Sequence, residues 1–281
     1  MRCRESLSEL TSAVALSICD DKRMTRRIVE AAGVRAPERI DADDPAAIKQ
    51  ALKRHGALVV KPARGEQGQG VAVGLKTMGE VQTALDRARR ICPEVLVEEQ
   101  VQGEDLRLVV IDYKVVACAL RRPPRVIGDG RSTLRALIEH QSRRRAAATG
   151  GESTIPLDDE TDRTLAEAGY QLDDVAPEGV EILVRKAANL HLGGTIHDVT
   201  DSVHPALAQA AVAAARAIDI PVTGIDLMVR SPDQPDYAFI EANERPGLAN
   251  HEPQPTAERF IDLLFPLSAP VPGRTSPEPE I

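Results

Sequence analysis

An apolar run that ends in a lysine and continues into a glycine-rich loop constrains the fold of this chain most strongly. Residues 57 to 61 are typical of a buried strand ending in Lys61, and glycines follow at positions 65, 68 and 70. Residues 71 to 75 then alternate like a second strand, which predicts a hairpin whose tip carries the glycines. Such a tip can bring backbone N–H groups close to phosphate oxygens. A flexible hairpin with a solvated lysine is an equally good explanation of this segment alone.

The loop differs from the two phosphate-binding loops that are best known. In the GxxxxGK[ST] loop the lysine follows the last glycine, and the GxGxxG fingerprint opens a helix. In this chain the lysine precedes the glycines and a strand follows them. We therefore expect a hairpin that closes over its anion as a flap.

Length and charge exclude several classes of protein. The 281 residues are enough for one large domain or two modest ones, and the formal net charge is -8. An acidic chain with 2% aromatic residues argues against nucleic-acid binding, although basic clusters occur at 121–122 and 143–145. We interpret the 143–145 triplet as a solvated helix face.

The cysteines and the apolar runs predict a cytoplasmic location without membrane contact. The four cysteines have no C-x-x-C spacing, as expected for reduced thiols. No apolar run approaches the roughly 18 residues that span a bilayer, and the first 20 residues lack a signal-peptide core.

Helix and strand patterns are mixed along the chain, which predicts an α+β fold. The predicted helices cover 21–32, 44–56, 77–91 and 133–145, with a further helix after His204-Pro205. The predicted strands cover 57–61, 95–98, 106–111, 115–120, 180–185, 224–229 and 237–242. The change of character over 121–179 predicts a small inserted lobe, and the Pro- and Ser-rich tail after Pro266 is predicted to be disordered.

Two carboxylates lie inside apolar strands near the C-terminus. Asp226 and Glu241 each interrupt a run of apolar residues, where an unpaired charge is costly to bury. If the two strands are antiparallel neighbours, these side chains and Asn243 share one face. Three hard oxygen donors suit Mg²⁺, with Mn²⁺ as the alternative. Salt bridges to Arg185 or Arg245 are the structural explanation of the same pattern.

Two further segments carry candidate binding groups. Residues 97–105 follow a strand and break at Gly103, so they form either a hinge that binds an adenine and a ribose or an acidic solvated turn. Residues 185–195 contain Arg185, Asn189 and a glycine pair, which can hold an acyl phosphate or form an ordinary turn between strands.

Taken in order, these segments resemble the ATP-grasp superfamily of carboxylate-amine ligases from Ser8 to Pro266. The segments 126–133 and 193–201, together with residues 11–15 and 19–22, are similar to the ATP-grasp portion of cyanophycin synthetases. The ending 241–256 resembles N-acetylglutaminylglutamine synthetases more closely. The flap departs from the family pattern Gly-Gly-Asn-Gly-Gly-Arg-Gly, because it carries Arg64, Glu66 and Gln69.

The resemblance implies an ATP-grasp fold in which two α+β subdomains clamp ATP. We expect an N-terminal segment over 1–20, a first subdomain over 21–104, a second over 105–265 with the inserted lobe at 121–179, and a tail over 266–281. The N-terminal substrate domain that is usual in the superfamily is absent from the expected layout, which would make the chain the second half of a longer enzyme.

The resemblance also implies a role for each candidate residue. The residues expected to bind ATP are Lys22, Lys61, Gly65, Gly68, Gly70, Glu98, Glu99, Val101 and Asp105. Those expected to steady the transferred phosphoryl group or acyl phosphate are Arg107, Arg185 and Asn189. The expected metal ligands are Asp226, Glu241 and Asn243.

The activity that the resemblance implies is ATP-dependent amide synthesis through an acyl phosphate, joining substrates such as N-acetylglutamine and glutamine. Three alternatives stay open: a polymer-forming ligase like cyanophycin synthetase, a kinase on the same scaffold, and a non-catalytic ATP-binding partner of an acetyltransferase-like chain. Expected partners are amino acids or dipeptides, together with a second copy of the chain or an acetyltransferase-like domain.

Overall fold

The computed structural model describes residues 1–65 and 69–267. Its strands are β1 (Cys3–Arg4), β2 (Leu7–Ser8), β3 (Arg39–Ile40), β4 (Leu58–Pro62), β5 (Ala72–Leu75), β6 (Val95–Glu99), β7 (Glu104–Ile111), β8 (Lys114–Arg122), β9 (Arg125–Ile127), β10 (Glu181–Leu183), β11 (Thr195–Asp198), β12 (Val222–Val229) and β13 (Tyr237–Asn243). Its helices are α1 (Ala13–Asp20), α2 (Lys22–Ala31), α3 (Pro45–His55), α4 (Met78–Arg89), α5 (Leu134–Ala148), α6 (Asp159–Glu167), α7 (Pro205–Ile218) and α8 (Thr256–Leu264). None of these helices is long and apolar enough to cross a membrane. The tail predicted to be disordered lies outside the described residues from position 268 onward.

Local capping signals set the helix ends where the sequence predicts them. Asp44 caps α3 by accepting from two backbone N–H groups, and Gly56 ends the helix with φ +77°. Thr77 and Glu80 form the predicted capping box at the start of α4. These caps satisfy backbone groups that the helix itself leaves free.

The first sheet has four antiparallel strands in the order β3-β6-β4-β5. Its apolar face, which includes Leu58, Val60 and Val97, packs against α3 and α4. Lys61 and Glu98 lie on the opposite face, because side chains alternate along each strand. One sheet face is therefore core and the other is free for charged groups.

The second sheet has five antiparallel strands in the order β11-β8-β7-β12-β13. The predicted hairpin is β7 and β8, and the two acidic strands are the neighbours β12 and β13. One face, with Leu106 and Leu108, packs against α1, α2 and α7. On the other face Val109 and Ile111 pack under α8, and the rest of that face is polar. We call the second surface the mixed face.

Helix α1 was not predicted, and α2 packs differently from its predicted subdomain. Ser12 caps α1 at Ala15 N, and the buried face of α1 joins the core of the five-stranded sheet. Val29 of α2 lies in that same core, although residues 21–104 were expected to form the first subdomain. A helix goes where its apolar face is covered, which its own sequence does not specify.

The inserted segment has a small core of its own. Strands β9 and β10 pair, and α5 and α6 pack on them around Leu134, Ile138 and Leu165. Ile182 and Val184 belong to this core, so it extends past the expected end at residue 179. The acidic run at 158–160 begins α6, where Asp158 accepts from two backbone N–H groups.

Candidate active site

Asp226 is the centre of an ion-pair cluster on the mixed face. Arg107 lies opposite it on β7, and Arg107 Nε and Nη2 donate to Asp226 Oδ1 and Oδ2 at 2.7 and 2.8 Å. Arg121 Nη2 of β8 donates to Asp226 Oδ2 at 2.8 Å and to Asp105 Oδ1 at 2.7 Å. Burial by itself would raise the pKa of Asp226, but the two guanidinium groups outweigh burial and lower it. Asp226 is therefore an ionised, nearly inaccessible carboxylate.

Asp226 is thus held by salt bridges, as the salt-bridge explanation of the acidic strands predicts. The partners are Arg107 and Arg121, whereas Arg185 and Arg245 pair elsewhere, with Asp158 and Glu5 respectively. Asp105, expected near the ribose, joins the same cluster, and burial raises its pKa.

Glu241 stands at the edge of this cluster without a cation of its own. It is the register partner of Asp226, and no Lys or Arg of the described residues lies within ion-pair distance of its carboxylate. Burial raises the pKa of Glu241, and the charge of Asp226 raises it further. A half-buried carboxylate in this state is stabilised by any cation that reaches it.

Asn243 brings an amide group beside Asp226. Asn243 Nδ2 donates to Asp226 Oδ2 and to Gly224 O, both at 3.3 Å, which turns the amide oxygen away from these acceptors. Within the described residues, no three His, Cys, Asp or Glu side chains are arranged to hold a metal ion. The donor set on this face consists of Asp226, Glu241 and the Asn243 amide, all oxygen ligands of the kind that Mg²⁺ prefers.

His251 also belongs to the mixed face, and sequence reasoning missed it. It ends the short 3-10 turn Ala249–His251, is 4% exposed, and its Nδ1 has no hydrogen-bond partner among the described residues. Burial and the charges of Arg107 and Arg121 lower the pKa of His251 to about 4. The one signal in the sequence that could have indicated His251 is its place in a proline-bounded segment, 246–255, between a strand and a helix.

Lys61 lies in a second, buried cluster on the four-stranded sheet. Its Nζ is 2.7 Å from Glu98 Oε2, and Arg26 Nη1 of α2 donates to Glu98 Oε1 at 3.0 Å. All three side chains are at most about a tenth exposed. Lys61 is therefore not the solvated lysine of the alternative explanation, and two cations share one carboxylate.

Lys22 connects the glycine loop with the acidic strands. Its backbone N–H donates to Ala63 O, and its Nζ donates to Gly65 O at 2.8 Å. The charge of Lys22 also lowers the pKa of Glu241. Gly70 has φ +70° and packs against Pro62 and Ile91, and Gly68 lies outside the described residues.

The segment expected to bind adenine lies between the two sheets. Glu99 pairs with His55 at 3.3 Å and Arg35 at 3.5 Å, so its side chain is already engaged. Val101 follows β6 and forms no backbone hydrogen bond with the described residues, which leaves its N–H and C=O available. Gly103 has φ +156° and lies close against the backbone of Val229.

The hydrogen bonds of Arg185 and Asn189 go to residues outside the Asp226 cluster. Arg185 is 3% exposed, and it donates to Asp158 at 2.6 Å and Glu160 at 2.7 Å, at the start of α6. Asn189 Oδ1 accepts from His191 N at 2.9 Å and caps a 3-10 turn. Both residues therefore hold the inserted lobe together in this arrangement.

The polar groups fall into two clusters that α2 joins. Among the predicted site residues, the structure brings together Asp105, Arg107, Asp226, Glu241 and Asn243 on one face, and Lys61 and Glu98 on the other sheet. Arg26 and Lys22 extend from α2 towards these two clusters. Cations in one cluster and, among the described residues, a carboxylate without an ion pair in the other are groups that can bind a polyphosphate and a metal ion.

Comparisons with known proteins show what the chain as a whole is similar to. No family model matches the chain. A cyanophycin synthetase from Trichormus variabilis is 31% identical over 280 residues, which cover 94% of this chain and 31% of that protein. A bifunctional glutathione synthetase from Pasteurella multocida superimposes with a TM-score of 0.63 at 24% identity, covering 93% of this chain and 38% of that one. A D-alanine–D-alanine ligase from Bacillus anthracis, solved with ATP, gives 0.53 at 17% identity, covering 91% and 68%.

The chain has the ATP-grasp fold of these ligases, and its sequence is related to that of cyanophycin synthetases. The predicted α+β ATP-grasp fold and the resemblance to cyanophycin synthetases are thereby confirmed, and the resemblance to N-acetylglutaminylglutamine synthetases stays a prediction. This ATP-grasp chain spans about a third of the length of the curated relatives that it matches.

Proposed function

We propose that this chain is the ATP-binding and catalytic part of an ADP-forming ligase that joins a carboxylate to an amine. The observation that carries the proposal is the cluster on the mixed face, in which Arg107 and Arg121 share Asp226 while no Lys or Arg of the described residues pairs with Glu241. The similarity over 94% of the chain to a protein named cyanophycin synthetase supports an amino acid as substrate.

The residues on this face fit a divalent metal. Glu241 and the Asn243 amide oxygen would hold Mg²⁺, with Mn²⁺ as the alternative, and Asp226 would join them when an anion takes over one of its arginines. The metal, when bound, would offset negative charge on the phosphoryl group. Its fit rests on an unpaired acid beside two further oxygen donors.

The other cluster provides the side that faces the nucleotide. Arg26 and Lys61 both pair with Glu98, and Arg26 pairs with Glu30 as well, so two cations meet two carboxylates here. Lys22 adds a further cation beside Gly65. We propose that Lys22, Lys61 and the flap residues Gly65, Gly68 and Gly70 bind the phosphates. Glu98, Glu99, Val101 and Asp105 would bind the adenosine, with Val101 offering its backbone.

The reaction that we propose has two steps. A carboxylate oxygen of the first substrate attacks the terminal phosphorus of ATP, which gives an acyl phosphate and ADP. The amine of the second substrate then attacks the acyl carbon, an amide bond forms and phosphate leaves. We propose that the Arg107 guanidinium steadies the transferred group and that closing the flap excludes water. Arg185 and Asn189 would contribute from the lobe after exchanging partners.

The two substrates are part of the proposal. N-acetylglutamine and glutamine follow from the resemblance of residues 241–256. A polymer-forming ligase is the second candidate, and the 31% identity to a cyanophycin synthetase favours it. We propose a first subdomain over 21–104 and a second over 105–265, working with a further copy or an acetyltransferase-like partner in the cytoplasm.

Product analysis tests this function. The protein is incubated with ATP, Mg²⁺ and pools of amino acids and N-acetylated amino acids, and ADP and new amides are measured by mass spectrometry. We expect equal amounts of ADP and amide, and loss of both in Glu241→Gln but not in Glu258→Gln, which changes an exposed acid on α8. A stable phosphate ester would indicate a kinase, and nucleotide binding without product would indicate a non-catalytic partner.

A further inference from the structure

Arg145 departs from the solvated helix face predicted for the 143–145 triplet. Arg143 and Arg144 of α5 are exposed, whereas Arg145 is half-buried. Arg145 Nη1 donates to Gly194 O at 2.8 Å, which fixes the guanidinium at the point where the lobe meets the five-stranded sheet. The Arg145 side chain is therefore held by contacts within the protein and is not a solvated surface group.

No carboxylate of the described residues neutralises this guanidinium. Arg145 forms no ion pair within 4.0 Å, and its Nε is buried without an acceptor. Arg185, in the same lobe, instead has two acidic partners. Burial alone lowers the pKa of Arg145, since no anion opposes it. A half-buried charge in this condition gains free energy when an anion reaches it.

The guanidinium is bound at the edge of the sheet that carries the proposed reaction site. Gly194 leads into β11, whose Thr195 pairs with Arg122 of β8, and β8 also carries Arg121 of the Asp226 cluster. Gly194 N–H donates to Asn189 O at 2.9 Å, so Asn189 is adjacent to Gly194 as well. Arg145 is therefore bound to the residue that precedes a strand of the same sheet, and that strand pairs with the one carrying Arg121.

We propose that Arg145 binds the carboxylate of the amino acid that supplies the amine. This inference rests on the proposed function. The reacting carboxylate must approach ATP, where Lys22, Arg107 and Arg121 already supply positive charge, so the unassigned guanidinium is left for a carboxylate that does not react. An amine-supplying amino acid retains such a carboxylate, and Arg145 Nη2 has donors free for it.

The test compares Arg145→Gln with Arg144→Gln, an exposed neighbour on the same helix. In the amide-forming assay, we expect Arg145→Gln to raise the KM for the amine-supplying amino acid by about 10- to 100-fold. The kcat and the KM for ATP should stay within about twofold, and Arg144→Gln should match the parent protein. Arg145→Lys should restore part of the affinity.

A second readout needs no turnover. The thermal shift of the protein is measured with each free amino acid and with its α-carboxamide. We expect stabilisation by at least one amino acid but not by its carboxamide, and we expect Arg145→Gln to lose it. The inference would be overturned if Arg145→Gln and Arg144→Gln had equal KM values for the amine-supplying amino acid. It would also be overturned if the amino acid and its carboxamide stabilised the protein equally. A rise in the KM for ATP alone would assign Arg145 to phosphate. Absence of any amide product with an intact Arg145-dependent shift would contradict the proposed function instead.

Discussion

Arg107 and Asp226 face each other across β7 and β12, joined by two hydrogen bonds of 2.7 and 2.8 Å. Paired donors of this kind fix the orientation of both groups. Arg121 binds the same carboxylate from the next strand, while Glu241, opposite Asp226, has no Lys or Arg partner in the part of the chain that the structure describes. Asp226 therefore stabilises the face, and Glu241 is free for a ligand.

Replacing Asp226 should cost far more stability than replacing Glu241. Asp226→Ala leaves two guanidinium groups without their shared carboxylate, which should lower the free energy of unfolding by about 3–5 kcal/mol. Glu241→Gln breaks no ion pair and removes repulsion from Asp226, so stability should change by less than about 1 kcal/mol. Urea unfolding of the two variants checks this. Equal losses would contradict the division of roles.

The buried Arg26–Glu98–Lys61 trio predicts an order of stabilities. Glu98→Ala removes the one carboxylate that both cations share, which should cost about 3 kcal/mol. Lys61→Met should cost less, because Glu98 keeps Arg26 at 3.0 Å. Thermal and urea unfolding would measure both. A larger loss of stability in Lys61→Met than in Glu98→Ala would contradict this description of the trio.

Two glycines near the flap should respond to alanine with opposite signs. Gly70 has φ +70° and its added methyl group would meet Ile91 and Pro62, so Gly70→Ala should destabilise the protein by at least about 1 kcal/mol. Gly79 lies in α4 with nothing within 4 Å of an added methyl group, so Gly79→Ala should raise stability by about 0.5–1 kcal/mol. Urea unfolding of both variants measures the two changes. A gain of stability in Gly70→Ala would contradict the close packing of Gly70 against Ile91 and Pro62.

His251 should make stability depend on pH. Its folded-state pKa is about 4, below the ordinary 6.5, so the unfolded state binds more protons between these values. Stability is full above about pH 6.5 and is lost as the pH falls towards 4, by at most about 3 kcal/mol from this group.

The control for this prediction is a second histidine. Urea unfolding at pH 7, 5.5 and 4.5 should show a flatter pH dependence in His251→Gln than in His140→Gln, whose histidine is exposed on α5. Parallel curves for the two variants would show that His251 titrates normally.

Local signals in the sequence predicted much of the fold. Caps such as Asp44 and Thr77, and the strands that carry Asp226 and Glu241, depend on residues a few positions apart. The prediction of a shared face was conditional on antiparallel pairing of these two strands, and the structure has that pairing, with Asp226 opposite Glu241.

Long-range partners were beyond such reasoning. Arg121 is 105 positions from Asp226, and Arg26 is 72 positions from Glu98, so only the folded sheets bring them together. For the same reason, Arg185 and Arg245 were wrong partners for the acidic strands. His251 and Arg145 gave no periodic signal, because a short turn and a lobe boundary bury them.

The central claim is that a carboxylate oxygen is transferred to phosphate during amide synthesis. The most direct measurement supplies the acid substrate with ¹⁸O in its reacting carboxylate, together with ATP, Mg²⁺ and the amine, and follows the isotope by mass spectrometry. The account predicts one ¹⁸O in each inorganic phosphate released and one amide for each ADP. Phosphate without ¹⁸O, formed at the same rate as ADP, would contradict it.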